Sequence, residues 1–104
     1  LGGVPLAAAL SLETGTPYSM IRKLTREHGT GTRIEGPNKG RAVLVDDVAT
    51  TGGSNIESIK ILTDEGVEVL KVLVVVDREE GAAESMAPLN LEYKSLILIS
   101  DLVN

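Results

Sequence analysis

An apolar run at Ala42–Val45 and a longer one at Val67–Val76, broken inward only by Glu68 and Lys71, flank a segment of helical length, Ser54–Glu65. This spacing constrains the fold more than any other feature. A strand that reads as nearly continuous apolar sequence is covered on both faces, as strands of parallel sheets are. Between the runs, Ile56, Ile59 and Leu62 recur every third residue and Gly66 supplies a stop, which predicts a helix. Strand, helix, strand is the unit of an α/β fold. The rest of the chain extends the alternation. Val4–Thr14 is rich in Ala and Leu and ends at Gly15, so a helix is expected. Pro17–Lys23 reads as a strand, Ala82–Ala87 as a short helix closed by Pro88, and Leu96–Ser100 as a last strand before a tail, Asp101–Asn104. The expectation is one domain over residues 1–104, with a mainly parallel sheet flanked by helices. With no Phe, no Trp and two Tyr, its core must be aliphatic.

Charge is unevenly spread. The net charge is −5, yet Arg22–Arg41 holds six basic and two acidic residues, and the remainder carries −9. An acidic protein of this kind is not expected to bind nucleic acid. The basic segment suits a local anionic ligand or a solvated loop. Within it, residues 24–40 show neither helical nor strand period and carry Gly29, Gly31, Gly36, Pro37 and Gly40. A connection this long is usually a lid, a binding loop or a disordered segment. No apolar run approaches the ~20 residues of a membrane span, and no signal peptide is recognisable. With no cysteine in the chain, a cytoplasmic setting away from membranes is expected.

The chemistry concentrates in "AVLVDDVATTGGSN", Ala42–Asn55. Ligands of open α/β sheets bind beyond the carboxyl ends of the strands, where Asp46 and Asp47 are expected. Thr50, Thr51, Gly52, Gly53 and Ser54 then lead into a helix, whose free N–H groups and dipole attract anions. Two carboxylates beside a phosphate make sense only if the ligand also brings hydroxyls or a cation. A sugar phosphate supplies the first and a magnesium complex the second. A P-loop is excluded because Asn55, not Lys, follows Ser54, and a dinucleotide fingerprint because its third glycine is missing. A receiver domain would use paired acids but has no need of the Thr-Thr-Gly-Gly-Ser loop. The plain alternative is a helix-capping loop with Ser54 as the cap.

"VLVDDVATTGGS" resembles the phosphoribosyl pyrophosphate signature of the type I phosphoribosyltransferases. "RKLTREHGTGTRIEG" resembles the mobile loop of the orotate phosphoribosyltransferases, "VDREEG" at Val76–Gly81 their segment near the pyrimidine, and "GGVPLA" the turn and helix after their pyrophosphate loop. The likeness runs nearly end to end and implies a type I phosphoribosyltransferase-like core. It implies transfer of the 5-phosphoribosyl group from phosphoribosyl pyrophosphate to orotate, giving orotidine 5-monophosphate and pyrophosphate.

By that resemblance Asp46 and Asp47 hold the ribose hydroxyls, and Thr51, Gly52, Gly53 and Ser54 wrap the 5-phosphate. Thr50 and Arg78 face the orotate, and Arg22 and Lys23 reach the diphosphate. Arg26 and His28 lie on a mobile catalytic loop, 24–40, that closes over the site of the neighbouring subunit. A homodimer with loop exchange is therefore implied. Magnesium is implied as the cofactor, carried with the substrate rather than held by a definite protein ligand set. Arg26 stands where the family usually has Lys; charge stabilisation survives that change and proton donation does not. Family members also carry residues ahead of the position of Leu1, including a strand lying between Pro17–Lys23 and Ala42–Val45 in the sheet. Without it both neighbours are expected to expose an edge. The alternatives carried forward are a phosphoribosyl pyrophosphate-binding regulator or inactive remnant of the same fold, and a purine phosphoribosyltransferase.

Overall fold

The computed structural model describes residues 3–23 and 32–103. Five strands and three helices follow in the order α1 (Val4–Thr14), β1 (Met20–Lys23), β2 (Thr32–Glu35), β3 (Gly40–Ala49), α2 (Gly53–Asp64), β4 (Val67–Asp77), α3 (Ala82–Met86) and β5 (Glu92–Leu98). A 3-10 turn, Ala87–Leu89, follows α3, and another, Ile99–Asp101, follows β5. β3, β4 and β5 form a parallel sheet in that order, and β1 and β2 an antiparallel pair of their own. No described helix is long and apolar enough to cross a membrane.

The expected unit at 42–76 is present. β4 is the central strand, and its alternation separates the two faces of the sheet. Val72 and Val74 are 0% exposed and pack with Ala49, Ile59 of α2, and Ala82 and Met86 of α3. Leu73 and Val75 point the other way, toward Leu6, Ala9 and Leu10 of α1 around a cavity of about 200 Å³. Helices thus cover both faces, which is why the run is apolar nearly throughout. Lys71, the break in it, lies opposite Glu92 of β5 and pairs with it at 3.2 Å. The core is aliphatic, as the composition requires, with Met86 its largest fully buried side chain.

Several bounds differ from expectation. β3 does not stop at Val45 but runs on through Asp46 and Asp47 to Ala49, because β4 continues beside it to Asp77. β5 begins at Glu92, four residues early, and ends at Leu98. As an edge strand it is half-buried on one face only, so Glu92 and Lys94 alternate with Tyr93 and Ser95, and the sequence shows no apolar run there. The expected unstructured connection 24–40 contains β2, paired with β1 from Met20↔Glu35 to Lys23↔Thr32. Four residues are too few to show a period, and the partner strand supplies the backbone bonds. β1 itself starts at Met20 rather than Pro17, since proline has no N–H to give a ladder. Among the described residues β3 is an edge of the three-stranded sheet. α1 runs beside it, and a Cβ on Gly3 would collide with the Val45 carbonyl oxygen.

Candidate functional site

Because β3, β4 and β5 are parallel, the segments that follow them emerge at one end of the sheet. These are Thr50–Gly52, Arg78–Gly81 and the Ile99–Asp101 turn. They are tied to one another. The Arg78 N–H donates to the Ala49 carbonyl at 2.9 Å, joining the second segment to the end of β3, from which the first departs. The Ser100 N–H donates to Glu79 Oε1 at 2.8 Å, joining the third to the second.

The Thr50–Ser54 loop is shaped by one backbone position. Gly52 has φ 89°, and a Cβ there would lie 3.2 Å from Ala82 Cα and 3.4 Å from Met86 Cε. Left-handed backbone and close approach both demand glycine. The loop therefore rests on α3 and the buried Met86. α2 begins at Gly53 with Gly52 at the cap position and no side-chain cap. Ser54 stands inside the first turn, so the capping role considered for it is not the one it takes. The Ile56 N–H returns to Gly52 O, and the Gly53 N–H donates to Thr51 Oγ1 at 3.3 Å. Apart from that hydroxyl, 3.5 Å away, nothing would crowd a Cβ on Gly53. Thr50, Thr51, Gly53 and Ser54 are exposed.

The two carboxylates differ. Asp46 is half-buried; its Oδ1 accepts the Asp47 N–H at 2.8 Å and its Oδ2 accepts Asn55 Nδ2 at 3.2 Å. Asp47 is exposed, and its Oδ1 accepts the Val48 N–H at 2.8 Å. Burial pushes the Asp46 carboxyl above the usual carboxylate range, and the charge of Asp47 adds to the rise. The adjoining Asp46 carboxyl, helped by the Val48 N–H, holds Asp47 below it. One site thus holds two acids of different readiness to ionise. No group of three or more His, Cys, Asp or Glu side chains suited to a metal occurs among the described residues.

Asp46, Asp47, Thr50, Thr51, Gly52, Gly53, Ser54 and Arg78 are thus brought to one end of the sheet. Arg78 is 56% exposed, with Nε 3.3 Å from Glu80 Oε2. Arg22 and Lys23 do end a strand, as expected, but it belongs to the other sheet, and Arg22 pairs with Glu35 at 3.5 Å. Arg26 and His28 lie outside the described residues.

Sequence reasoning passed over three residues. Asn55 is 3% exposed and holds Asp46. Its spacing from Ile59 and Leu62, i, i+4 and i+7, was the available signal for an inward face. Asp77 is 5% exposed at the end of β4 and accepts both the Tyr93 hydroxyl at 2.9 Å and the Glu79 N–H at 2.7 Å. An acid closing an apolar run, as at Asp46, was the signal there; for Tyr93 there was none.

The chain is similar to known proteins over most of its length. The family described as Phosphoribosyl transferase domain matches residues 1–91. An orotate phosphoribosyltransferase of Pyrococcus abyssi is 53% identical over 98% of this chain and 57% of its own length. The crystal structure of orotate phosphoribosyltransferase from Aeropyrum pernix superposes with a TM-score of 0.89 at 41% identity, over 99% of this chain and 59% of that one. Orotate phosphoribosyltransferase of Mycobacterium tuberculosis, solved in complex with 5-phospho-alpha-D-ribosyl 1-diphosphate, gives 0.78 at 36% identity, over 98% and 60%. The chain spans somewhat more than half the length of these relatives. With the family match covering most of its residues and a shared fold over nearly all of them, this chain belongs to the phosphoribosyl transferase domain family and resembles its orotate phosphoribosyltransferases.

Proposed function

We propose that the chain carries the site for transfer of a 5-phosphoribosyl group from phosphoribosyl pyrophosphate to orotate. One observation carries this reading: an acid pair in the last part of β3, a hydroxyl-rich glycine loop at the start of α2, and an exposed arginine tied by its own backbone to the end of β3. In this reading the N–H groups and hydroxyls of Thr51–Ser54 bind the 5-phosphate, and the missing side chain of Gly53 leaves room for it. Asp46 and Asp47 accept hydrogen bonds from the ribose hydroxyls. Arg78 exchanges Glu80 for the orotate carboxylate, which a guanidinium grips with two parallel bonds, and Thr50 faces the same base.

The bond from ribose C1 to the pyrophosphate oxygen breaks, and a bond from orotate N1 to C1 forms on the opposite face. Orotate N1 deprotonates readily, so no dedicated base is required. The protein's work is positioning and stabilisation of the leaving charge. Arg26 and His28, with Arg22 and Lys23, are assigned to that charge by resemblance. The acid pair suits magnesium carried on the donor, since this ion binds through one or two carboxylates plus substrate phosphates; when bound it neutralises pyrophosphate. A homodimer, exchange of the loop 24–40 between sites, and a cytoplasmic setting belong to the same proposal and rest on the family likeness.

The test mixes protein, magnesium, phosphoribosyl pyrophosphate and orotate, and follows orotate absorbance and pyrophosphate release. Orotate-dependent pyrophosphate release is expected, and Asp47→Asn should weaken donor binding. Donor binding without turnover would replace this reading with that of a phosphoribosyl pyrophosphate-binding regulator. Turnover with a purine base in place of orotate would overturn the assignment of Arg78.

A further inference from the structure

Three unusual features crowd around the exposed Arg78. The residue before it, Asp77, is a carboxylate almost fully withdrawn from water. The residue after it, Glu79, has φ 60°, a left-handed conformation that side chains other than glycine seldom adopt. The Glu79 carboxylate in turn reaches away to accept the Ser100 N–H at 2.8 Å. A buried carboxylate must be hydrogen-bonded to persist, and an apolar residue in its place often serves stability as well or better. Left-handed backbone at a non-glycine residue survives only where its surroundings hold it. Stability alone gives no reason to gather both at one turn.

The bonds form a chain. Tyr93, on the neighbouring strand, donates its hydroxyl to Asp77 Oδ2 at 2.9 Å. Asp77 Oδ1 accepts the Glu79 N–H at 2.7 Å, which fixes the left-handed turn. Glu79 Oε1 anchors that turn to the segment after β5. On the other side the Arg78 N–H is held by Ala49 O at 2.9 Å. The Arg78 guanidinium pairs with Glu80 at the surface, its one ion pair among the described residues. Burial and the Asp77 charge keep the Tyr93 hydroxyl protonated well above its ordinary range, so it is a donor at any working pH.

We propose that Tyr93, Asp77 and Glu79 are positioning residues that hold the backbone of Arg78 so that its guanidinium is presented, already oriented, to the carboxylate of the base. This rests on the assignment of Arg78 to orotate. Side chains of a binding site must themselves be held by a supporting shell, or the site is present but loose. Here that shell comes from β5 and the end of β4, and its hydrogen bonds among the described residues do not involve Thr50–Ser54. Losing it should therefore harm recognition of the base and spare that of the donor.

Steady-state kinetics on the full chain, varying each substrate in turn, test this with four variants. Arg78→Ala is the reference and should raise KM for orotate strongly. Tyr93→Phe, which removes one oxygen, and Glu79→Ala should each raise KM for orotate about tenfold, the worth of one hydrogen bond to a charged group. KM for phosphoribosyl pyrophosphate should stay within about twofold in both. Glu79→Gln keeps an acceptor oxygen and should return KM for orotate close to that of the parent. If Arg78→Ala raises KM for orotate while Tyr93→Phe and Glu79→Ala do not, the positioning role is overturned and the role of Arg78 stands. If Arg78→Ala itself leaves KM unchanged, the assignment to orotate falls, and the positioning role with it. A parallel rise in KM for both substrates, or a lowered melting temperature with no change in KM, would mark the network as purely structural and also overturn the proposal.

Discussion

On the flank of the sheet covered by α2 and α3, Val72, Val74, Ala82 and Met86 are closed to solvent. On the flank covered by α1, no helix residue is buried, Leu12 is 87% exposed, and a cavity of about 200 Å³ separates α1 from Leu73 and Val75. The two helices also differ in composition. α2 carries one inward stripe, Asn55, Ile56, Ile59 and Leu62, with Ile61 the one large apolar side chain elsewhere on it, whereas α1 is apolar almost all round. A striped helix needs one covered face, and an evenly apolar one is at home only when surrounded. The difference separates support from exposure: the glycine loop and the segment of Arg78 are braced against the closed flank through Gly52, Ala82 and Ala49. Asp46 stands where the flanks meet, bonded to Asn55 on one side and bordering the α1 cavity on the other.

The strongest test of the contrast is Met86→Ala. It empties the centre of the closed flank and the support under Gly52, so it should cost about 2–5 kcal/mol in denaturant unfolding. A loss equal to that of an α1 surface change would break the comparison. Next, Gly52→Ala imposes a Cβ on left-handed backbone facing Ala82 and should cost more than about 1 kcal/mol of stability. It should also weaken donor binding, measured by titration with phosphoribosyl pyrophosphate. Gly53→Ala, uncrowded by the chain, should keep the stability and lose affinity only.

Asn55→Ala probes the junction. Leaving Asp46 without that donor should cost about 1–3 kcal/mol. It should also shift a titration. Only the ionised carboxylate lacks a proton of its own and accepts from ribose freely, so donor affinity falls as pH drops through the Asp46 pKa. That pKa already stands above its ordinary value because of burial, and the Asn55 bond opposes the rise. Its removal should therefore move the fall in affinity to higher pH; an unmoved pH profile would detach Asp46 from the ribose. A smaller effect is expected for Glu80→Gln, which frees Arg78 from an exposed pair worth at most about 1 kcal/mol. KM for orotate should drop by a few-fold or less. Smallest of all, Leu12→Ala should change stability by no more than about 0.5 kcal/mol. A larger loss would show that α1 is covered in solution.

Much of this was legible in the chain. The run at Val67–Val76, the period of Ile56, Ile59 and Leu62, and the glycines and hydroxyls of Thr50–Ser54 are local patterns, and each led to the right element in the right place. Bounds were lost where pairing overrode composition. Asp46 and Asp47 lie inside β3 because β4 offers partners from Val74 to Asp77, and Glu92–Ser95 form a strand because Lys71–Val74 lie opposite. β2 was lost for the same reason, being defined by β1 and not by any period of its own.

Alternation, helix period and turn chemistry act between near neighbours, so the order of elements, the parallel crossover and the acid–glycine stretch were decided by the sequence as read along the chain. The unequal flanks, the burial of Asn55 and Asp77, the hold of Tyr93 on the Arg78 turn and the different ionisation of Asp46 and Asp47 were decided only by the tertiary structure. The cost of withdrawing a polar group from water, and the partner that offsets it, depend on atoms many residues away that only packing brings within reach.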